Sequence, residues 1–214
     1  MSHRRDAILA AATDRFGQDS YEHTKWADIA GDVGVGATAL YHYFESKQHC
    51  LFVIMEQAVH SAHVRFEDLT SREGDAAEIL VDVLYDGYDL TEREVLRNRL
   101  LVAEQGLLAN RRTSPREEEA RQSARARTRD LEFAWGTFLA RGMEQGSIPK
   151  YDARLLTNAI LGLHNSVWHW YRPGGTRSLE EVADFYVARL LAMVGLPAEL
   201  AVRRDLSALR SAAS

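Results

Sequence analysis

Cysteine occurs once in the 214 residues, at Cys50, which excludes an intrachain disulfide and fits a reducing cytoplasm. Proline occurs four times, and Pro115, Pro149, Pro173 and Pro197 all fall where helical periodicity starts or stops, so none interrupts a helix. No uncharged apolar run approaches the ~20 residues of a membrane span. The opening MSHRRDAILAAATDRF has no signal-peptide core before Asp14, so secretion is not expected. Period-two alternation is absent, which leaves no strand to predict. There is no phosphate-binding glycine loop and no nucleophile elbow, so no cofactor and no hydrolase chemistry are expected. Lysine is scarce as well, 3 against 23 arginines, a bias that points to a GC-rich bacterial genome.

What remains is an ordinary globular composition, 46% hydrophobic and 27% charged, and a helical period almost everywhere. Arg4 to Phe16 carries Ile8, Ala11, Ala12 and Phe16 on one face, with Gly17 as its stop. Thr24 is placed as the N-cap of a helix over residues 25–33 whose inner face would be Ala27, Ile29, Ala30 and Val33. Gly34 supplies a sharp turn, and a third short helix follows over about 36–43. Ser46 opens a longer helix with a stripe at Leu51, Met55, Ala58, Ala62, Phe66 and Leu69. Further helices are expected over about 75–89 and 92–109. Ser114, Pro115 and Glu117 have the spacing of a capping box, opening a helix to about Gln145, roughly 46 Å long at ~1.5 Å per residue. Asp152 caps the next helix, which stops at RPGG, and Ser178 with Glu181 caps a helix that reaches Val194. The tail to Ser214 has room for one more short helix. The expected fold is all-α, with about nine or ten helices.

Two short helices meeting across a glycine turn have helix-turn-helix spacing. Ile8, Ala11 and Phe16, then Thr24, Ile29 and Ala30, then Val33-Gly34-Val35, Leu40-Tyr41-His42-Tyr43-Phe44 and Ser46-Lys47-Leu51 resemble the DNA-binding head of the tetracycline-repressor (TetR) family. The resemblance implies a DNA-reading domain over residues 1–47 and a helical effector-binding and dimerisation domain over 48–214. Further on, WHWYRPGG and SLEEVADF are similar to a stretch in members that answer to acyl-coenzyme A thioesters and control fatty-acid or sterol-ring breakdown.

In a helix-turn-helix the second helix enters the major groove while flanking elements hold phosphates. Gly36, Ala37 and Thr38 would start that helix, the first two permitting close approach and Thr38 offering a hydroxyl. Tyr41, His42 and Tyr43 would meet phosphates, with Thr24, Lys25 and Lys47 completing a clamp. Leu40 and Phe44 face inward. Residues 1–50 hold five cations against seven acids, so binding double-stranded DNA has to rely on a local basic strip.

Farther along, Tyr85, Tyr88, Phe133, Trp135, Phe138, Asn165 and Trp168 are candidate liners of an effector pocket, with Arg172 at its mouth. The arginines from Arg111 to Arg129 either hold coenzyme A phosphates or form a helix face paired with Glu117 to Glu119. The helix over 152–171 has a small-residue stripe at Ala159, Gly162 and Ser166, and the helix over 178–194 is apolar nearly all round. The two suit a four-helix interface in a homodimer. The leading expectation is a cytoplasmic repressor released from a near-palindromic operator by a small hydrophobic effector. The alternative effector is an aromatic or cationic drug-like compound. A rival reading is a metal-binding helical enzyme using Glu56, His60, His63 and Glu67, spaced by 4, 3 and 4. His49-Cys50 lacks an activating arrangement for thiol chemistry.

Overall fold

Helical periodicity, broken at glycine, proline and capping residues, gives nine α-helices and no strand among the described residues. The computed structural model describes residues 2–202; the expectation of a further helix towards Ser214 lies outside them from residue 203 on. In order they are α1 (Ser2–Asp19), α2 (Trp26–Asp32), α3 (Ala37–Leu40), α4 (Lys47–Thr70), α5 (Ala76–Asp86), α6 (Glu92–Glu104), α7 (Pro115–Gln145), α8 (Ala153–Trp170) and α9 (Leu179–Val194). Short 3-10 turns follow α6 at Gln105–Ala109 and α9 at Ala198–Leu200. No helix here is long and apolar enough to cross a membrane.

The chain divides into two compact units. The first joins the residues up to His60 with Thr91–Thr128, and the second joins Ser61–Leu90 with the chain from Arg129 on. The core of the first is Ile8, Ala12, Phe16, Ile29, Leu40, Phe44, Leu51 and Met55, with Leu100 from α6 and Ala120 and Ala124 from α7 packed into it. Burying such side chains is worth about 1.5–3 kcal/mol each. In the second unit α5 is the helix buried all round, from Ala76 to Asp86 with Glu78 exposed. Its two buried acids are held by Arg72 on Asp82 at 3.0 Å and Arg65 on Asp86 at 2.9 Å.

Several local expectations need correcting. Gly17 does not end α1, which runs on to Asp19; a Cβ at Gly17 would come within 2.7 Å of Leu96, so the glycine is there to admit α6. Thr24 is not the N-cap of α2. That position is Lys25, without a side-chain bond, while the buried Thr24 hydroxyl donates back to the Ser20 carbonyl at 2.8 Å. Ala27 is exposed, leaving Ile29 and Ala30, with the partly buried Val33 packed against the same core, as the inner face. The expected helix over 36–43 is α-helical only from Ala37 to Leu40 and continues as turn. Gly34, at φ +65°, makes the turn before it as expected. The Ser114 box does not close on itself, because Glu45 has taken the place of its partners. Asp152 and the Ser178–Glu181 box cap α8 and α9 as read. The helix α9, expected to be buried on both sides, exposes Phe185 and Met193 in the single chain.

Candidate nucleic-acid interface and effector site

The reading head is built on two anchors. Leu40 and Phe44 are fully buried, and they fix the turn between α3 and α4 so that the residues between and before them face outward. Gly36, Ala37, Thr38, Tyr41 and His42 are exposed, Tyr41 by 53% despite its apolar ring; Tyr43 is half-buried. An exposed aromatic beside an exposed hydroxyl and imidazole is a surface shaped to touch something polar and extended. Lys25 is exposed at the start of α2.

Lys47 is placed differently from the clamp that the sequence suggests. Its ammonium donates to the carbonyls of Tyr21 at 2.6 Å, Thr24 at 2.9 Å and Glu22 at 3.3 Å, and lies 4.4 Å from the centre of the Tyr21 ring. Desolvation lowers its pKa, with Glu22 and Glu104 opposing. Thr24 likewise uses its hydroxyl within the chain. Two cations that the sequence does not place at the DNA-facing surface stand near the recognition segment. The Arg5 guanidinium lies 5.2 Å from the Phe44 ring, and Arg116 donates to the Tyr43 carbonyl at 3.4 Å. Arg5 lay within the N-terminal helix pattern, but nothing local in the sequence joins residue 116 to residue 43.

The loop that delivers α4 is tied to the start of α7 by a reciprocal cap. Glu45 accepts from the Ser114 hydroxyl and, at 3.1 Å, from the Glu117 amide, while Ser46 donates to the Glu117 carboxylate and accepts from the His49 amide at 2.9 Å. The start of α7 is thus capped by Glu45, while α4 is capped, as read, by its own Ser46, whose hydroxyl Glu117 holds in place. The acids of α1 and α2 are engaged too, Asp14 by Arg93 at 2.8 Å and Asp32 by Arg15 at 2.6 Å. These pairs bound an open groove of about 1000 Å³ beside α1, whose Arg15 and Arg93 are therefore occupied.

Three arginines of the 111–129 cluster are held within the fold, while Arg111, Arg125 and Arg129 are exposed. Arg121, 6% exposed, forks onto Glu118 at 2.7 and 2.8 Å and donates to the Leu108 carbonyl; Arg112 donates to Leu107 and lies over Phe52; Arg127 meets Glu56 at 3.0 Å. The pairing with Glu117 at i,i+4 does not occur, because Glu117 serves Ser46.

Of the effector candidates the second unit brings Tyr88 and Trp168 together, with ring centres 5.9 Å apart, and adds His164 and Tyr186 at 4.7 and 6.3 Å from Tyr88. Trp135 and Phe138 pack instead on Phe66, at 4.7 and 5.9 Å. Tyr85 is buried and donates to the Ala201 carbonyl at 3.1 Å. Phe133 points outward, 77% exposed, and Asn165 is exposed. Arg172 is exposed, and its guanidinium turns back onto the His169 and Tyr171 carbonyls.

The metal reading fails on geometry. No group of three or more His, Cys, Asp or Glu among the described residues is placed to hold an ion; Glu56 is occupied by Arg127, and His63 meets Glu67 at 3.4 Å. Cys50 is fully buried and burial pushes its thiol far up, so it stays protonated.

Comparison with known proteins converges on one family. The model for bacterial regulatory proteins of the tetR family matches residues 8–54, and the model for the tetracyclin repressor-like C-terminal domain matches residues 93–194. The HTH-type transcriptional repressor KstR2 of Mycolicibacterium smegmatis is 24% identical over 192 residues, spanning 88% of this chain and 89% of that one. A crystal structure of a TetR/AcrR-family transcriptional regulator from Thermobifida fusca is 30% identical and superposes with a TM-score of 0.66 over 88% of this chain and 97% of the other. AibR, crystallised with isovaleryl coenzyme A and operator DNA, shares the fold at 22% identity and a TM-score of 0.71, covering 87% of this chain and 97% of its own. Both family models match, one on the DNA-reading head and one on the following helical region, and the chain belongs to the TetR family and is a ligand-responsive, DNA-binding transcriptional repressor.

Proposed function

We propose that the protein acts in the cytoplasm as a homodimer that holds a near-palindromic operator through residues 1–47 and releases it when an acyl-coenzyme A thioester occupies the domain formed by residues 48–214. The observation that carries the DNA half is the exposed set Lys25, Thr38, Tyr41 and His42 over the buried Leu40 and Phe44. Gly36 and Ala37 let the backbone approach the groove, and Tyr43, Arg5 and Arg116 flank it. Thr24 and Lys47 serve from behind by fixing the turn between α1 and α2. The effector half rests on the WYRPGG stretch, the buried Tyr88–Trp168 cluster and the isovaleryl coenzyme A bound by AibR.

The dimer surface would be the outer face of α8 and α9. Leu155, Ala159, Gly162 and Trp170 on α8, with Phe185 and Met193 on α9, are exposed in the single chain, an apolar surface that a symmetry mate would cover. A gel shift with the duplex upstream of the protein's own coding region tests the whole. Complex formation is expected, with release by micromolar long-chain acyl-coenzyme A and none by the free acid or free coenzyme A. Release by a cationic or aromatic drug instead, with every thioester inert, would assign the effector to the drug-like class.

A further inference from the structure

Tyr88 stands just after α5, between α8 and α9 of the second unit. Its side chain is 2% exposed, yet its hydroxyl has no hydrogen-bond partner among the described residues. Leaving such a group unmatched is costly, and natural folds accept that cost where a partner arrives later. Around it the rings of His164, Trp168 and Tyr186 form three sides of a cage. Gly87 is what lets His164 approach: a Cβ there would come within 2.8 Å of its Cε1. A chain of packed rings runs from the cage to the surface: Tyr186 meets Trp170 at 6.4 Å and Phe185 at 5.7 Å, which are 47% and 54% exposed.

The polar character of the cage is that of a neutral donor. Trp168 Nε1 donates to His164 Nε2 at 3.3 Å, which leaves the histidine proton on Nδ1 and the ring uncharged. Burial, helped by Arg65, pushes that ring down to about 4, and burial pushes the Tyr88 phenol far up, so neither ionises near neutrality. The nearby cation, Arg65, is already matched by Asp86 at 2.9 Å. Arg189 lies over the Phe185 ring at 4.0 Å, at the surface end of the ring chain, so a carboxylate could pair there but would meet no unmatched cation at Tyr88 itself, whereas an uncharged carbonyl oxygen at Tyr88 would find a donor.

We propose that the Tyr88 hydroxyl donates to an uncharged carbonyl on the effector, a thioester or a ketone, while the His164, Trp168 and Tyr186 rings grip the apolar body beside it. This rests on the reading of an acyl thioester effector and adds to it the group that tells a thioester from its free acid.

Calorimetric titration of the full chain with octanoyl-coenzyme A, octanoate, 1-tetralone and tetralin tests it in the wild type and in Tyr88→Phe. The variant is expected to lose about tenfold in affinity for octanoyl-coenzyme A and tetralone, to bind tetralin unchanged, and to melt no lower than wild type, since it removes an unmatched hydroxyl. Equal binding of both carbonyl ligands by wild type and variant overturns the inference. So does a wild type that binds neither of them, or that binds octanoate as tightly as the thioester. Tyr88-dependent binding of tetralone without any binding of octanoyl-coenzyme A, or of a long-chain acyl-coenzyme A run alongside, leaves the inference standing and removes the thioester reading of the function.

Discussion

At the scale of single residues, Lys47 illustrates how a side chain can support the DNA-facing surface without being part of it. Lys47 lies where the family's spacing puts a phosphate clamp, yet its ammonium faces three carbonyls of the α1–α2 turn. Lys47→Ala is therefore expected to lower stability by about 1–2 kcal/mol and to weaken DNA binding through a loosened head. The slope of log affinity against log salt should stay as in wild type, whereas loss of a true phosphate contact would reduce it by about 0.9. His164 gives a second residue-scale prediction. Its ring takes a proton near 6.5 when unfolded but resists to about 4 in the fold, facing Arg65 and Tyr88, with Asp86 behind Arg65. Its contribution is whole above pH 6.5, shrinks as the pH falls through that interval, and has lost about 3 kcal/mol by pH 4. Denaturant titrations of His164→Asn should show a flatter fall in stability between pH 6.5 and 4. Tyr88 and Trp168, two of the aromatic candidates, meet in the fold, but Phe133, of the same chemical kind, points to water. Only packing decides which way a ring on a long helix turns.

At the scale of elements, caps that close within four residues could be read from the sequence, and caps that reach across it could not. Asp152 and Ser178–Glu181 behave as local spacing says. Thr91 and Glu94 form a further capping box that the same rule would have found. The box at Ser114 and Glu117 looked equally local, yet its partners are Glu45 and Ser46, about seventy residues earlier. That reciprocal cap predicts coupling. Glu45→Gln and Ser114→Ala should each cost about 1 kcal/mol, and the double variant should cost less than their sum, as read by urea unfolding in a double-mutant cycle. Strict additivity would mean the two helix starts are capped independently.

At the scale of the whole molecule, the all-α fold and the order of the helices followed from periodicity alone. The layout of the compact units did not, because it depends on which distant helices pack together. The dimer surface is where scale alters the choice of variant. Val187 is fully buried within the chain, so Val187→Glu should unfold it. At Gly162 an added Cβ meets nothing within 4 Å, and Phe185 is exposed. Gly162→Trp and Phe185→Asp should therefore give monomers by sedimentation that keep the wild-type circular dichroism. A wild type that sediments as a monomer at micromolar concentration would show that the outer face of α8 and α9 is not an interface.

The first unit is assembled from two separate stretches, and its second stretch brings Leu100, Ala120, Ala124 and the far half of the reciprocal cap. On the ribosome this imposes a delay. When His60 has been made, the DNA-reading surface has all its own residues but lacks part of the core beneath it. At the usual 5–20 residues per second the missing pieces are still roughly 3–14 s from completion at Thr128. A nascent or prematurely terminated chain in that interval would carry the recognition residues without the scaffold that orients them, so an interrupted message should yield no fragment able to occupy the operator in competition with the finished repressor.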